Sequence, residues 1–266
     1  MPEQSANGSG ALRVCVLYPD LMNIYADRGN LLVLERRCAW RGLGFELVAN
    51  GIGEPLDAHA HDIYYVGGGQ DRDQRLCAED LVRGKGEALH AAAARGALVL
   101  GVCGGYQLLG HSYTLDGEQI AGVGLLDVYT VREQGPRLIG NVAIEVALEQ
   151  LAQPPGPSAR APAEQGARRI LAGFENHGGR TRLGSGAQPL GRVLRGFGND
   201  GRSGFEGAVG GSVIGTYMHG PLLPKNSWFA DWLIARALSL APGELAPLED
   251  ELERAAHDSA LRAAGV

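Results

Sequence analysis

No apolar stretch in this 266-residue chain approaches the ~20 residues that a helix needs to cross a bilayer. Residues 1–10 are polar and carry Gly and Ser without an apolar core, so no signal peptide is expected. Cysteine is scarce. Cys15, Cys38, Cys77 and Cys103 form no CxxC pair, and no cluster of ligands at metal spacing accompanies them, so no metal is expected. Cys15 and Cys38 read as core packing, and a cytoplasmic, reducing location follows. Basic charge is in deficit, with 24 Lys and Arg against 30 Asp and Glu, a net charge of −6 and a pI near 5.7. That balance argues against general nucleic-acid binding. Aromatics make up 6% of the chain. There is no internal repeat, and no GxxxxGK[ST] loop that would cradle a nucleotide phosphate.

What the chain does have is glycine, 41 residues of it, and a 45% hydrophobic content that can build a full core. The apolar periodicity predicts a strand over 12–18, a helix over 30–40, strands over 45–49 and 62–66, a helical run over 76–95 and a strand over 97–102. This alternation predicts an α/β fold, a parallel sheet with helices on both faces. Beyond Gly110 come short strand-like pieces at 122–131, 139–146, 170–174, 190–194 and 213–218, read as an antiparallel extension. Residues 153–169 carry four prolines and read as a mobile loop. Residues 226–240 and 248–264 read as helices. The expected organisation is a disordered tail at 1–11, one catalytic domain at 12–240 and a C-terminal helical extension at 241–266.

The stretch Ala97-Leu98-Val99-Leu100-Gly101-Val102-Cys103-Gly104-Gly105-Tyr106-Gln107 reads as strand, cysteine, helix. A sharp strand-to-helix turn has no room for bulky neighbours, and Gly101 and Gly105 stand two residues either side of Cys103. Free N–H groups at a helix start favour a thiolate, the reactive form of cysteine. Cys103 is therefore a candidate nucleophile. Such a nucleophile needs a base from a distant part of the chain. Of seven histidines, His219 ends an apolar strand and precedes Gly220-Pro221, a turn that projects a side chain.

Gly101-Val102-Cys103-Gly104-Gly105-Tyr106-Gln107 and Gly215-Thr216-Tyr217-Met218-His219-Gly220 resemble the class I glutamine amidotransferases, in the cobyric acid synthase-like branch. Three further segments resemble the glutaminase subunits of lipid II isoglutaminyl synthases: Tyr18-Pro19-Asp20-Leu21-Met22-Asn23-Ile24-Tyr25-Ala26-Asp27-Arg28-Gly29-Asn30, Val66-Gly67-Gly68-Gly69-Gln70-Asp71 and Gly173-Phe174-Glu175-Asn176-His177-Gly178-Gly179-Arg180-Thr181. The likeness runs from about residue 12 to about residue 238.

The resemblance implies a flavodoxin-like parallel sheet and glutamine hydrolysis through a cysteine thioester. Cys103 would attack the side-chain amide, and backbone N–H groups of Gly69 and Gly104 would receive the oxyanion. His219 would act as general acid and base. Gln107, one helical turn after Cys103, and Asn176 would contact glutamine. Arg137 would clamp its α-carboxylate, a guanidinium being suited to bidentate pairing. No cofactor is expected in this chain. ATP and Mg would belong to a Mur-ligase-like partner of the MurT type, which would use the ammonia to amidate D-glutamate of lipid II. Many class I enzymes carry a glutamate two residues after the histidine, and here that position is Pro221. Another acid of this chain, an acid from the partner, or a Cys–His dyad would meet the need. Cobyrinate-type amidation and a silent scaffold subunit remain as alternative readings. The eight arginines between 160 and 202, against three acids, read as a solvated face.

Overall fold

A short run of mostly apolar residues marks a strand covered on both faces, and four such runs form the centre of this protein. They are β1 (Leu12–Leu17), β3 (Ile63–Val66), β4 (Leu98–Val102) and β14 (Val213–Thr216), nearly all of whose residues are buried. The computed structural model describes residues 10–23, 27–115, 117–151 and 168–266. Most of the expected tail 1–11 and of the Pro-rich loop 153–169 therefore lies outside the described residues, while residues 168 and 169 prove to be strand.

The main sheet has the order β13-β14-β4-β3-β1-β2, with β2 at Phe45–Asn50 and β13 at Ala208–Gly210. All its pairings are parallel except β13 with β14. Val99, Leu100 and Val102 are essentially sealed from water, each stabilising the sheet by roughly 1.5–3 kcal/mol. Between the strands run α1 (Arg28–Ala39), α2 (Asp71–Asp80), α3 (Gly86–Ala94) and α4 (Gly104–Leu109). The expected 76–95 helix is longer, starting at Asp71, and a π-helical turn at Leu81–Lys85 joins α2 to α3.

Two four-stranded sheets replace the single antiparallel extension. One has the order β10-β7-β5-β6, from β5 (Ser112–Leu115), β6 (Glu118–Ala121), β7 (Val128–Arg132) and β10 (Gly179–Leu183). The other has the order β12-β11-β8-β9, from β8 (Leu138–Ala147), β9 (Arg168–His177), β11 (Gly191–Arg195) and β12 (Phe205–Glu206). The expected 122–131 strand begins only at Val128, because the backbone of 122–126 is spent on Leu108, Leu109, Gly110 and His111. A short helix, α5 (Leu148–Leu151), follows β8. Helix α6 (Ser227–Ala237) packs on α1, and α7 (Glu251–Ala264) lies across β8 and β9.

Strand register decides where the site falls. Leu17 pairs with Val66, Val66 with Gly101, and Val102 with Thr216. The carboxyl ends of four parallel strands thus align, and the segments that follow them meet at one edge, where open α/β sheets bind their ligands.

Candidate active site

Cys103 stands directly after β4 with φ +51° and ψ −103°, a conformation L-residues avoid. Its neighbours make that turn possible. A β-carbon on Gly101 would lie 2.9 Å from the Tyr106 nitrogen, and one on Gly105 would lie 2.9 Å from the Gly67 carbonyl. The Cys103 N–H donates to the Thr216 carbonyl (2.8 Å), which ties the elbow to the end of β14. Three residues further on lies His219.

His219 is fully buried and held from two directions. Its backbone exchanges two hydrogen bonds with Phe174 of β9, the His219 N–H donating at 2.7 Å and the Phe174 N–H at 3.1 Å. Its ring Nδ1 lies 3.2 Å from Oδ1 of Asp27, which is also fully buried. The Cys103 sulfur lies close enough to the same imidazole to act on its charge. Burial alone would push this histidine down. The Cys103 sulfur and the Asp27 carboxylate outweigh burial and raise its pKa from 6.5 to about 10.

Asp27 is the acid that Pro221 cannot be. A β-carbon on Gly29 would lie 2.6 Å from the Pro221 ring, so the glycine lets the first turn of α1 press onto the turn after His219. Asn30 closes the same seam. Its Oδ1 accepts the Leu223 N–H (2.8 Å), and its amide donates to the Tyr65 hydroxyl (3.0 Å). The other oxygen of Asp27 accepts the Gly68 N–H (2.9 Å). One carboxylate therefore orients the imidazole and anchors the Gly67–Gly69 loop. That loop faces the elbow, since a β-carbon on Gly104 would come within 3.0 Å of the Gly69 nitrogen. Leu21 and Met22 press on Gly69 from the other side, leaving no room there for a side chain.

The β8–β9 register places Ile139 opposite Asn176 and brings Arg137 beside it. Arg137 donates from Nε to the Asn176 side-chain oxygen (2.8 Å) and from Nη2 to its carbonyl (2.7 Å). The guanidinium is exposed, with no carboxylate paired to it among the described residues. Gln107 is buried and its amide is engaged. Its Oε1 accepts from Gln74 (2.7 Å), and its Nε2 donates to the Tyr217 hydroxyl (3.1 Å). Tyr217 also contacts Thr181 (2.6 Å) and stacks flat on His177, with ring centroids 3.6 Å apart. Of the arginines between 160 and 202, Arg168 and Arg192 sit on Glu145, and Arg182 and Arg202 on Glu133.

The sequence does not single out Asp27, His177, Tyr217 or Gln74. The one signal that could have found Asp27 is an acid at the start of the helix after β1, in a chain whose usual acid position is proline. His177 and Tyr217 carry no such signal, because their stacking depends on β9 and β14 meeting in space.

The chain matches the CobB/CobQ-like glutamine amidotransferase domain over residues 13–227. It is 36% identical over 219 residues to the lipid II isoglutaminyl synthase (glutamine-hydrolyzing) subunit GatD of Staphylococcus aureus, covering 82% of this chain and 81% of that protein. It is 33% identical to the GatD subunit of Streptococcus pneumoniae, covering 88% and 83%. A cobyric acid synthase of Pelotomaculum thermopropionicum is 33% identical, but only 39% of its length is covered. In fold, PurLQS of Thermotoga maritima superposes with a TM-score of 0.51 at 20% identity, over 86% of this chain and 95% of that one. The chain belongs to the CobB/CobQ-like glutamine amidotransferase family and, within it, to the GatD-type glutamine-hydrolysing subunits of lipid II isoglutaminyl synthase.

Proposed function

We propose that this chain hydrolyses glutamine at Cys103 and passes the ammonia to an ATP-dependent, Mur-ligase-like partner that amidates D-glutamate of lipid II to D-isoglutamine. The observation that carries the reading is the buried Cys103–His219–Asp27 cluster at the aligned strand ends. The Cys103 thiolate attacks the carboxamide carbon of glutamine, and the carbonyl oxygen becomes an oxyanion facing the backbone N–H groups of Gly69 and Gly104. The protonated imidazole of His219 donates its proton to the departing nitrogen, ammonia leaves and a thioester remains. Neutral His219 then takes a proton from water, the hydroxide attacks the thioester, and glutamate leaves as the thiolate and imidazolium are restored. Asp27 keeps Nδ1 protonated and the ring in place throughout.

Arg137 binds the α-carboxylate of glutamine, with Asn176 holding the guanidinium fork in position. Gln107 shapes the floor beneath the thioester. The chain itself uses no cofactor, and ATP and Mg act on the partner, where the α-carboxyl of D-glutamate is activated. Ammonia passes directly between the two sites, because free ammonia in water near neutral pH is mostly ammonium and has no lone pair to attack with.

Glutamate release from glutamine, measured with and without a co-purifying ligase, tests the reading. Cys103→Ala should abolish release and abolish glutamine-dependent amidation, while added ammonium salts should still support amidation by the complex. If ammonium restored nothing to the Cys103→Ala complex, the two-site scheme would fail.

A further inference from the structure

Glu206 is a fully buried carboxyl that the reaction as written leaves unused. It stands at a seam. Strand β13 pairs with β14 from Gly210–Val213 up to Ala208–Gly215, and there the chain turns away at Gly207, φ +66°, to join β12 in another sheet. Residues Thr216 and Tyr217 thereby have no partner on the β13 side just before His219. The Glu206 side chain takes its place. Its Oε1 accepts the Tyr217 N–H (2.6 Å), and both its oxygens lie 3.1 Å from the Thr216 hydroxyl. The Thr216 hydroxyl oxygen then accepts the Met218 N–H (3.0 Å). Two backbone donors and one hydroxyl of the three residues before His219 thus converge, directly or in relay, on this carboxyl. An ionised carboxylate only accepts, so it forces the Thr216 proton toward itself and leaves the Thr216 oxygen open to Met218.

We propose that Glu206, in its ionised form, is the positioning residue that sets the Thr216–Met218 turn and through it the placement of His219 against Cys103. The proposal rests on the assignment of Cys103 and His219 as the reacting pair.

An amide would satisfy the Tyr217 N–H at no electrostatic cost, whereas a buried carboxylate is expensive. Burial and the nearby Glu175 of β9 push the Glu206 carboxyl up to about 8, against stabilising hydrogen bonds from Tyr217 and Thr216. Tyr106 of α4 faces it as well, and no cation pairs with it among the described residues. A carboxyl raised in the folded state makes the protein lose stability as pH rises from its unfolded value toward 8. Glu206→Gln removes that loss but presents an NH2 group to Thr216, whose hydroxyl oxygen then meets two donors.

The test is steady-state glutaminase kinetics across pH 6–10 in the full chain with its partner. The wild type should show kcat rising through about pH 8. Glu206→Gln should lower kcat at pH 9 by about tenfold, leave the glutamine KM within about twofold and lose the rise. It should melt no earlier than wild type at pH 9, which separates the effect from misfolding. Thr216→Val should reduce kcat similarly and add little to Glu206→Gln in the double variant. Wild-type kcat in Glu206→Gln, or a lowered kcat that keeps the pH 8 rise, overturns the proposal. Failure of the underlying assignment reads differently, as glutaminase activity that survives Cys103→Ala or His219→Ala.

Discussion

At the scale of single residues, the Asp27 carboxylate carries two jobs, orienting the His219 ring and anchoring Gly68. Asp27→Asn is expected to lower kcat by about 100-fold or more with little change in KM, because an amide does not hold the ring in one tautomer. Full activity in that variant, by glutamate release, would remove Asp27 from the mechanism. The raised pKa of His219 makes a second prediction. The imidazole holds its proton until pH approaches about 10, so the stabilising interaction with Cys103 and Asp27 is fully present below 6.5 and lost as pH rises through about 10. On the alkaline side, activity should therefore fall only as pH approaches about 10, as His219 loses the proton that ammonia needs. An alkaline limb centred near 7 in the kcat profile contradicts this. Cys103 and His219 were legible in the sequence because each sits where a strand pattern stops and a glycine follows. Asp27 was not, since its role appears only when the turn after β1 meets the turn after β14.

At the scale of elements, glycines decide how closely segments approach. A methyl on Gly29 collides with Pro221, so Gly29→Ala should push the α1 start away from His219 and carry Asp27 with it. We expect kcat to fall by about tenfold while stability drops by about 1–3 kcal/mol, measured by kinetics and denaturant melts side by side. The sequence periodicity located β1, β3, β4, β8 and α6 closely, since each buries an uninterrupted or strongly patterned face. It misplaced the start of β7 and did not reveal β5, β6, β10, β12 and β13. These are pieces of two to five residues whose pairing is set by distant strands rather than by their own apolar repeat. The Phe174–Thr181 segment shows why a motif can be legible while its parts are not. Phe174 pins the His219 backbone, Glu175 accepts the N–H groups of Phe197 and Gly198, Asn176 holds Arg137 and His177 supports Tyr217.

At the scale of the molecule, Arg37 locks the ends of the chain together. It is buried in α1, donates to both oxygens of Asp231 in α6 (2.5 and 2.6 Å) and to both of Asp250 (2.9 and 2.8 Å), next to the start of α7. Burial works against ionisation of Asp250, but the Arg37 hydrogen bonds outweigh it and hold the carboxyl below its ordinary value. That stability is present above the unfolded carboxylate pKa and is lost as pH falls through the depressed value. Arg37→Met leaves Asp250 without its partner, while Asp231 keeps Arg41, and should destabilise the fold by about 3–5 kcal/mol, with early hydrogen exchange in α7. Unchanged denaturant midpoints would show that the cluster adds nothing. Helix α7 is thus bound into the fold, through Asp250 and through backbone carbonyls at Ala263 and Gly265 that accept from Asn141 and Arg195.

By itself the sequence determined the parallel sheet, the cysteine elbow and the histidine at a strand end, because buried periodicity and glycine spacing are local properties written in consecutive residues. Only the tertiary structure decided which acid serves His219, which side chains surround Gln107 and what Glu206 holds. Those contacts join residues nearly two hundred positions apart in one case and eleven in another, and a hydrogen bond between them exists only once strand register has brought their backbones to the same edge.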